Sequence, residues 1–172
     1  LSSNLLVNVT NGNLTLNGNL SSGTNITLDA GSQYAAGVAT GGDVIVGTAL
    51  SINANTAGGG GTTIIYSGTP NTTNANTSKF QSLITGANLA TTTKAYNTAV
   101  NGGAVNISQL LNVFYRIAPN ITITALNNSK VYDTTNKTAV GNYNVTGLID
   151  GDTINFTASP ATTYNTSSAG TG

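Results

Sequence analysis

Residues 112–133, NVFYRIAPNITITALNNSKVYD, separate two parts of the chain whose apolar residues follow different patterns. Within this stretch, Pro119 disfavours helix at the residue before it and favours an extended backbone. Apolar and hydroxyl residues then alternate from Ile121 to Ala125. This period of two predicts a strand that buries Ile121, Ile123 and Ala125 and exposes the threonines between them. We therefore interpret the stretch as a joint between two β modules.

The joint divides the chain into residues 1–118 and residues 119–172. Arg116 lies in an aromatic cluster just before the boundary, and the other four cationic residues are scattered along the sequence. We therefore expect Arg116 to be a packing or hydrogen-bonding partner and not a catalytic group.

The composition favours β structure and argues against catalysis. The 172 residues include five basic residues and five acidic residues. Every acidic residue is an Asp, and the chain has no Cys, His, Met or Trp. Thr, Asn, Gly, Val and Ile largely replace the helix-favouring residues, which predicts an all-β chain rich in turns. The residues that usually activate a Ser or Thr nucleophile are missing, so we expect no enzyme.

A net charge of zero argues against nucleic acid as a partner. No apolar run approaches the ~18 residues of a membrane helix, so no membrane insertion is expected.

Short alternating apolar runs fill the first 66 residues. Turn signals such as Asn11-Gly12 and Asn17-Gly18 separate them, because their residues accept positive φ angles. Two arrangements fit: an antiparallel sandwich, and a right-handed parallel β-helix whose short strands stack coil on coil. We favour the β-helix, since the runs are short for a sandwich and Asn, Thr and Ser suit stacked corners. Coils of about twenty residues would give about three coils in this half.

The Thr- and Asn-rich segment at about residues 67–104 is interpreted as an extrusion or cap of the β-helix. One or two helical turns are predicted in it, capped by Thr77 or Ser78. They rest on three apolar residues with the spacing i, i+3 and i+4, namely Phe80, Leu83 and Ile84.

Beyond that segment the chain is predicted to be β. A small, incomplete β-sandwich-like module is expected over residues 119–172. Ile107, Leu110, Leu111 and Phe114 have helical spacing, whereas Val113, Tyr115 and Ile117 alternate as in a strand, and we favour a strand at Asn112–Ile117. Further strands are predicted at Ile121–Leu126, Lys130–Tyr132, Tyr143–Val145 and Thr153–Thr157.

Asp150 and Asp152 are the one close pair of carboxylates, and they flank Gly151. A structural turn explains this pattern best, because calcium would require several more carboxylates. The two aspartates are thus weak metal candidates, and no cofactor is predicted.

The triplet Asn-x-Ser/Thr is roughly twice as frequent as random placement predicts. Two explanations stay open. Alternating strands with Asn and Thr on one face generate the triplet automatically, or the surface accepts sugars. The candidate acceptors are Asn8, Asn13, Asn19, Asn25, Asn71, Asn76, Asn106, Asn120, Asn127, Asn136, Asn144, Asn155 and Asn165.

The C-terminal segment SKVYDTTNKTAV…YNVTGLIDGDTINFTA…YNTSSAGTG resembles the YDG/MBG-type repeat modules of large bacterial exoproteins. The resemblance rests on Lys130, Tyr132, Asp133, Thr135, Thr146, Gly147, Leu148, Gly151, Asp152 and Ala169 to Gly172, whereas Thr134 stands where the family usually has Gly. More loosely, GGDVIV…LSINANTAGGGGTTIIYSG and NVFYR resemble the distal β-helix of filamentous-haemagglutinin-like adhesins, which are exported by two-partner secretion.

These resemblances imply a secreted bacterial surface protein without a catalytic role. The first hypothesis is an adhesin stalk that separates a binding tip from the cell, exported through an outer-membrane partner and facing host or neighbouring cells. The second is the repeating subunit of an extracellular homopolymeric fibre or sheath. Some adhesins of this group carry sugars on Asn-x-Ser/Thr sites. We also expect that the parent chain continues beyond both ends, or that a neighbouring copy donates a strand to the second module.

Overall fold

The computed structural model describes residues 3–48, 50–54, 60–70, 75–85, 87, 91–100, 102, 107, 109–126 and 143–156. The chain forms two compact units, Leu1–Pro119 and Asn120–Gly172. Eleven strands and one α-helix are found among the described residues, so the protein belongs to the all-β class. The elements are β1 (Leu5–Val9), β2 (Leu14–Leu16), β3 (Leu20–Ser21), β4 (Ile26–Ala30), β5 (Val44–Val46), β6 (Ile52–Asn53), β7 (Thr63–Ser67), α1 (Thr77–Ser82), β8 (Thr92–Ala95), β9 (Leu111–Tyr115), β10 (Thr122–Ala125) and β11 (Tyr143–Thr146).

The first unit contains three parallel sheets that the chain visits in rotation. β1, β2 and β3 each lie in a different sheet, and β4, β5 and β6 then add one strand to each in the same order. β7 and β9 extend the first sheet, and β8 pairs with the outer side of β9, giving the order β1-β4-β7-β9-β8. We call one circuit of the chain through the three sheets a pass. Each of these strands pairs in parallel with the equivalent strand of the next pass, which confirms the predicted stacking. None of these pairings is the antiparallel hairpin of a sandwich.

The passes grow longer along the chain. The register pairs Leu5 with Ile26, 21 residues later, which agrees with the expected twenty-residue coil. Ile26 pairs with Thr63, 37 residues later, and Thr63 with Leu111, 48 residues later. The estimate of about twenty residues per coil therefore holds for the first pass only, because insertions between strands lengthen the later passes while the strands stay in register.

The core of the first unit lies between the three sheets. Aliphatic residues from successive passes stack on one another, because in-register parallel pairing places like side chains side by side. The completely buried members are Ile26, Leu28, Ala30, Val44, Ile65, Leu111 and Val113.

The segment at 67–104 contributes α1 and β8, and the predicted helical turns are confirmed. The predicted cap is wrong, because Asn76 is the N-cap, and its Oδ1 accepts from the backbone N–H of Lys79 at 2.8 Å. Thr77 is instead buried, with its hydroxyl 3.1 Å from the Tyr115 hydroxyl. This six-residue helix is too short to cross a membrane, and the described part of the chain has no longer one.

In the second unit β10 and β11 form a two-stranded antiparallel sheet, which confirms both strands. Ile121 and Ile123 were predicted to be buried, but they are 45% and 49% exposed. An apolar strand face is buried only when other residues pack over it. The alternation of apolar and polar residues along β10 defines such a face but does not supply the residues that would cover it. The strand predicted at Thr153–Thr157 is wrong over residues 153–156, which are irregular. The strand predicted at Lys130–Tyr132 lies outside the described residues.

Candidate functional site: a buried arginine cluster and asparagine corners

Arg116 follows β9 directly and is 1% exposed, which makes it the largest completely buried side chain of the described residues. Its Nη1 donates to the carbonyl oxygen of Ala30 at the end of β4. Its Nη2 donates to the carbonyl oxygens of Thr40 at 3.2 Å and Gly42 at 2.7 Å. The planar guanidinium suits this role, since it presents several donors in fixed directions. Arg116 therefore fastens the loop between β4 and β5 to the core, as the expected hydrogen-bonding role requires.

Two aspartates accompany this cation. Asp43 Oδ1 accepts from the backbone N–H of Thr69 at 2.6 Å and from the Ser67 hydroxyl at 3.4 Å. Asp29 is 2% exposed, and its Oδ2 has no hydrogen-bond partner. Burial raises the pKa of the Asp29 carboxyl to about 6, and the positive charge of Arg116 opposes that rise. Burial likewise lowers the pKa of Arg116, against the effect of Asp43, Asp29 and Tyr34.

A carboxyl with a raised pKa beside a cation is a pattern found in active sites. Whether the Asp29 carboxyl could act on a substrate therefore depends on the free space around it. The space bounded by Asp29, Tyr34, Tyr66 and Arg116 is too small for a water molecule. A substrate therefore has no room beside the carboxyl. The cluster is built to hold backbone segments together and not to bind a ligand.

Two glycines make room for the guanidinium. A Cβ at Gly68 would lie 2.7 Å from Arg116 Nη2 and 2.6 Å from Asp43 Oδ1. Gly41 has a φ of +111° and would place a Cβ 2.4 Å from the Tyr34 ring. Sequence reasoning found Arg116 but missed its two aspartates and these glycines. The motif Gly41-Gly42-Asp43 was the available signal.

The second feature is a set of asparagines at the corners just before strands. Asn13 Oδ1 accepts from the backbone N–H of Asp43 at 2.9 Å, and Asn19 Oδ1 accepts from that of Ser51 at 3.0 Å. In both cases the donor is the residue at the equivalent position of the next pass, because Leu14 pairs with Val44 and Leu20 with Ile52.

The first sheet continues the same arrangement over three passes. Asn4 Oδ1 accepts from the N–H of Asn25 at 3.3 Å, and Asn25 Oδ1 accepts from Thr62, from the N–H at 2.9 Å and from the hydroxyl at 3.0 Å. We call Asn4, Asn13, Asn19 and Asn25 the corner asparagines. Each one bonds its own pass to the next, beyond the hydrogen bonds of the strands.

Three of the corner asparagines explain the presence of Asn in their own Asn-x-Ser/Thr triplets. Asn13, Asn19 and Asn25 each stand one residue before a strand, followed by an aliphatic residue that packs on the core and then by a Ser or Thr. The alternation explanation thus gains a mechanism that sequence reasoning missed. The spacing of six residues from 13 to 19 to 25 was its visible signal.

Of the candidate sugar acceptors, Asn71, Asn106, Asn127, Asn136 and Asn165 lie outside the described residues. Asn25 is half-buried, and Asn76 is buried beneath its capping bond. The exposed ones are Asn8, Asn13, Asn19, Asn120, Asn144 and Asn155.

Asp150 and Asp152 lie in a turn, as expected. Asp150 has a φ of +49° and Gly151 a φ of +77°, and the N–H of Asp152 donates to the carbonyl oxygen of Ile149 at 3.1 Å. Within the described part of the chain, no three potential metal-ligating residues of the His, Cys, Asp and Glu types are grouped together.

Comparison with known proteins gave one match, to a family model that covers part of this chain. Neither the curated proteins nor the solved structures gave a match. The family model of the YDG domain matches residues 117–172, about a third of the chain. The matched segment follows β9 and includes β10, β11 and the turn at Gly151.

Proposed function

We propose that residues 1–118 form a stretch of right-handed parallel β-helix that serves as a stalk in a secreted bacterial surface adhesin, and that residues 119–172 continue it as an incomplete, β-sandwich-like YDG module. The observation that carries the proposal is the in-register parallel pairing of β1, β4, β7 and β9, with equivalent pairs in the two other sheets. Each pass adds one strand spacing of about 4.8 Å and contacts only its neighbours. Such a structure provides length and stiffness.

The interior supports a mechanical role without catalysis. Its one buried ionic cluster, among the described residues, binds backbone carbonyl oxygens and encloses no space for a substrate. The corner asparagines add side-chain bonds between passes, which strengthen a stack along its length. The YDG domain at 117–172 supports the exoprotein setting that the sequence resemblance implies. In that setting the chain is exported through an outer-membrane partner and faces host or neighbouring cells.

One observation bears on the fibre alternative. In the described sheet β1 pairs on one side only, with β4, and Leu6 is 65% exposed, while Leu5 and Val7 are partly buried. An edge strand of this kind can accept another strand. An earlier coil of the parent chain that stacks there would lengthen the stalk, whereas a second copy that stacks there would turn the same module into the repeating subunit of a fibre or sheath.

Immunogold electron microscopy of the producing bacterium tests the stalk. Antibodies raised against the purified chain should bind intact cells and label a thin fibre between its tip and the cell surface. An in-frame deletion of the stalk segment should shorten that fibre and leave its export intact. Label confined to the cytosol would refute the proposal.

Analytical ultracentrifugation of the purified chain separates the two hypotheses. A stalk segment should sediment as a monomer at all concentrations, whereas a fibre subunit should assemble into filaments as its concentration rises. Leu6→Lys on β1 is the matched variant, since a charge at an exposed edge position blocks strand addition. It should abolish filaments if they form through β1 and change nothing in a monomer.

A further inference from the structure

Two Asn-Gly pairs, Asn11-Gly12 and Asn17-Gly18, occupy turns of the first pass, one before β2 and one after it. Both asparagines are exposed. Neither begins an Asn-x-Ser/Thr triplet, so the sugar-acceptor explanation does not concern them. A third pair includes Asn101, which lies outside the described residues. Glycine suits each turn, but it also makes the asparagine before it chemically reactive.

The reaction is deamidation, which needs only water. The backbone nitrogen of the glycine loses its proton and attacks Cγ of the asparagine. The bond from Cγ to Nδ2 breaks, the amide nitrogen takes up a proton and leaves as ammonia, and a cyclic succinimide remains. Water then opens either carbonyl of the ring and gives aspartate or isoaspartate. Glycine permits the attack best because it has no Cβ to hinder the approach, so the surroundings of the glycine nitrogen determine which pair reacts.

In the first pair, the next pass holds the glycine in place. The Gly12 N–H donates to the carbonyl oxygen of Gly41 at 2.8 Å. Gly42 packs directly on the carbonyl group of Gly12, since a Cβ at Gly42 would overlap that carbonyl. The Gly12 nitrogen would have to leave its hydrogen bond and move against this contact before it could reach the Asn11 side chain.

In the second pair, neither reacting group is bonded within the described part of the chain. The Gly18 N–H has no acceptor there, and a Cβ at Gly18 would meet no atom within 4 Å. The Asn17 side chain lies over Gly47 of the next pass without a hydrogen bond. The Asn17 carbonyl oxygen accepts from the Thr48 hydroxyl at 3.3 Å, but this oxygen takes no part in the attack. The Gly18 nitrogen is therefore free to approach Cγ of Asn17.

We propose that Asn17 is a site of spontaneous deamidation in the folded protein, and that the fold protects Asn11. The product carries a carboxylate at an exposed corner of a chain whose net charge is zero. The isoaspartyl form also adds a carbon atom to the backbone before Asn19, whose Oδ1 accepts from the Ser51 N–H. The inference does not depend on the stalk proposal, because it concerns only contacts within the first unit.

Peptide mass spectrometry of the purified full chain tests the proposal, after incubation at mildly alkaline pH in isotopically labelled water. Incorporated oxygen label identifies the conversions that occur during the incubation. Asn17 should convert about tenfold faster than Asn11, the factor that corresponds to one net hydrogen bond. Equal rates at the two sites, or a faster rate at Asn11, would overturn the proposal.

The same incubation in urea separates the effect of the fold from that of the local sequence. Unfolding releases Gly12 from Gly41, so the two asparagines should then convert at similar rates. If the preference for Asn17 persisted unchanged in urea, the neighbouring residues and not the fold would be its cause, and the proposal would fail.

Gly18→Val tests the attacking nitrogen. The added side chain has open space around it, so the variant should fold with an unchanged melting temperature. Its Cβ hinders the approach of the nitrogen to Cγ, and the rate at Asn17 should fall to that at Asn11 or below. The rate at Asn11 is the internal control and should stay the same. An unchanged rate at Asn17 would show that the residue 18 nitrogen is not the nucleophile.

Discussion

At the scale of single residues, Asp29 is the group whose charge the fold disfavours. Its Oδ2 is buried without a partner, and burial raises its pKa to about 6 despite the nearby Arg116. In the unfolded chain an Asp titrates near 3.9. The folded protein therefore binds the proton more tightly than the unfolded chain does. The stabilisation from protonated Asp29 is complete below about pH 4 and is lost as the pH rises to about 6.

Asp29→Asn should remove this pH dependence. Urea unfolding from pH 4 to pH 8 should show the parent protein losing on the order of 2 to 3 kcal/mol relative to the variant across that window. The difference between the two curves isolates Asp29, because every other titrating group is common to both proteins. Curves that run parallel from pH 4 to pH 8 would contradict the assignment.

At the scale of elements, the corner asparagines link one pass to the next, and Asn19 offers a clean measurement of that link. Asn19→Ala removes the bond to the Ser51 N–H and should lower the free energy of unfolding by about 1 kcal/mol. Asn19→Asp keeps an acceptor of the same shape and should cost clearly less. Chemical denaturation of the two variants measures the difference. Equal losses would mean that the hydrogen bond contributes nothing at this corner.

The elements also show which part of the fold the sequence can predict. β1, β2 and β4 are visible because alternating residues such as Leu14 and Leu16 face one core, and this pattern is local. The pairing of Ile26 with Thr63, 37 residues later, could not be predicted from a local pattern. The register between two strands depends on contacts between segments that are distant in the sequence. The exposure of Ile123 could not be predicted either, because alternation sets which face a residue lies on and not whether another layer covers that face.

In the candidate site, too, local features could be predicted from the sequence and contacts between distant residues could not. Arg116 stood out because the chain has only five cations, and its aromatic neighbours pointed to a buried role. Asp29 and Asp43 lie 87 and 73 positions before it, so only the folded stack brings them near its charge. The N-cap Asn76 was overlooked in favour of Thr77, although asparagine is among the strongest N-cap residues.

At the scale of the whole molecule, strands, stacked aliphatic residues and corner asparagines hold the first three passes of the first unit together. The corner asparagines accept their hydrogen bonds through the Oδ1 atom. A hexose on an Asn side chain is attached through Nδ2 and leaves Oδ1 in place. The structural explanation and the sugar-acceptor explanation of the Asn-x-Ser/Thr triplets are thus compatible at the exposed corners, Asn13 and Asn19.

Asn76 is different, and it separates the two explanations. It is 4% exposed and caps α1, so a hexose on its Nδ2 would need space that the folded protein does not provide. We predict that native material carries hexoses on exposed acceptors such as Asn13, Asn19 and Asn144, and none on Asn76. Peptide mass spectrometry gives the occupancy of each site, and Asn76 is the internal control because it has the same triplet as the others. Occupancy at Asn76 equal to that at Asn13 would show that modification ignores the fold. Complete absence at all of them would leave the bond between passes as the sole reason for the triplets at the corners.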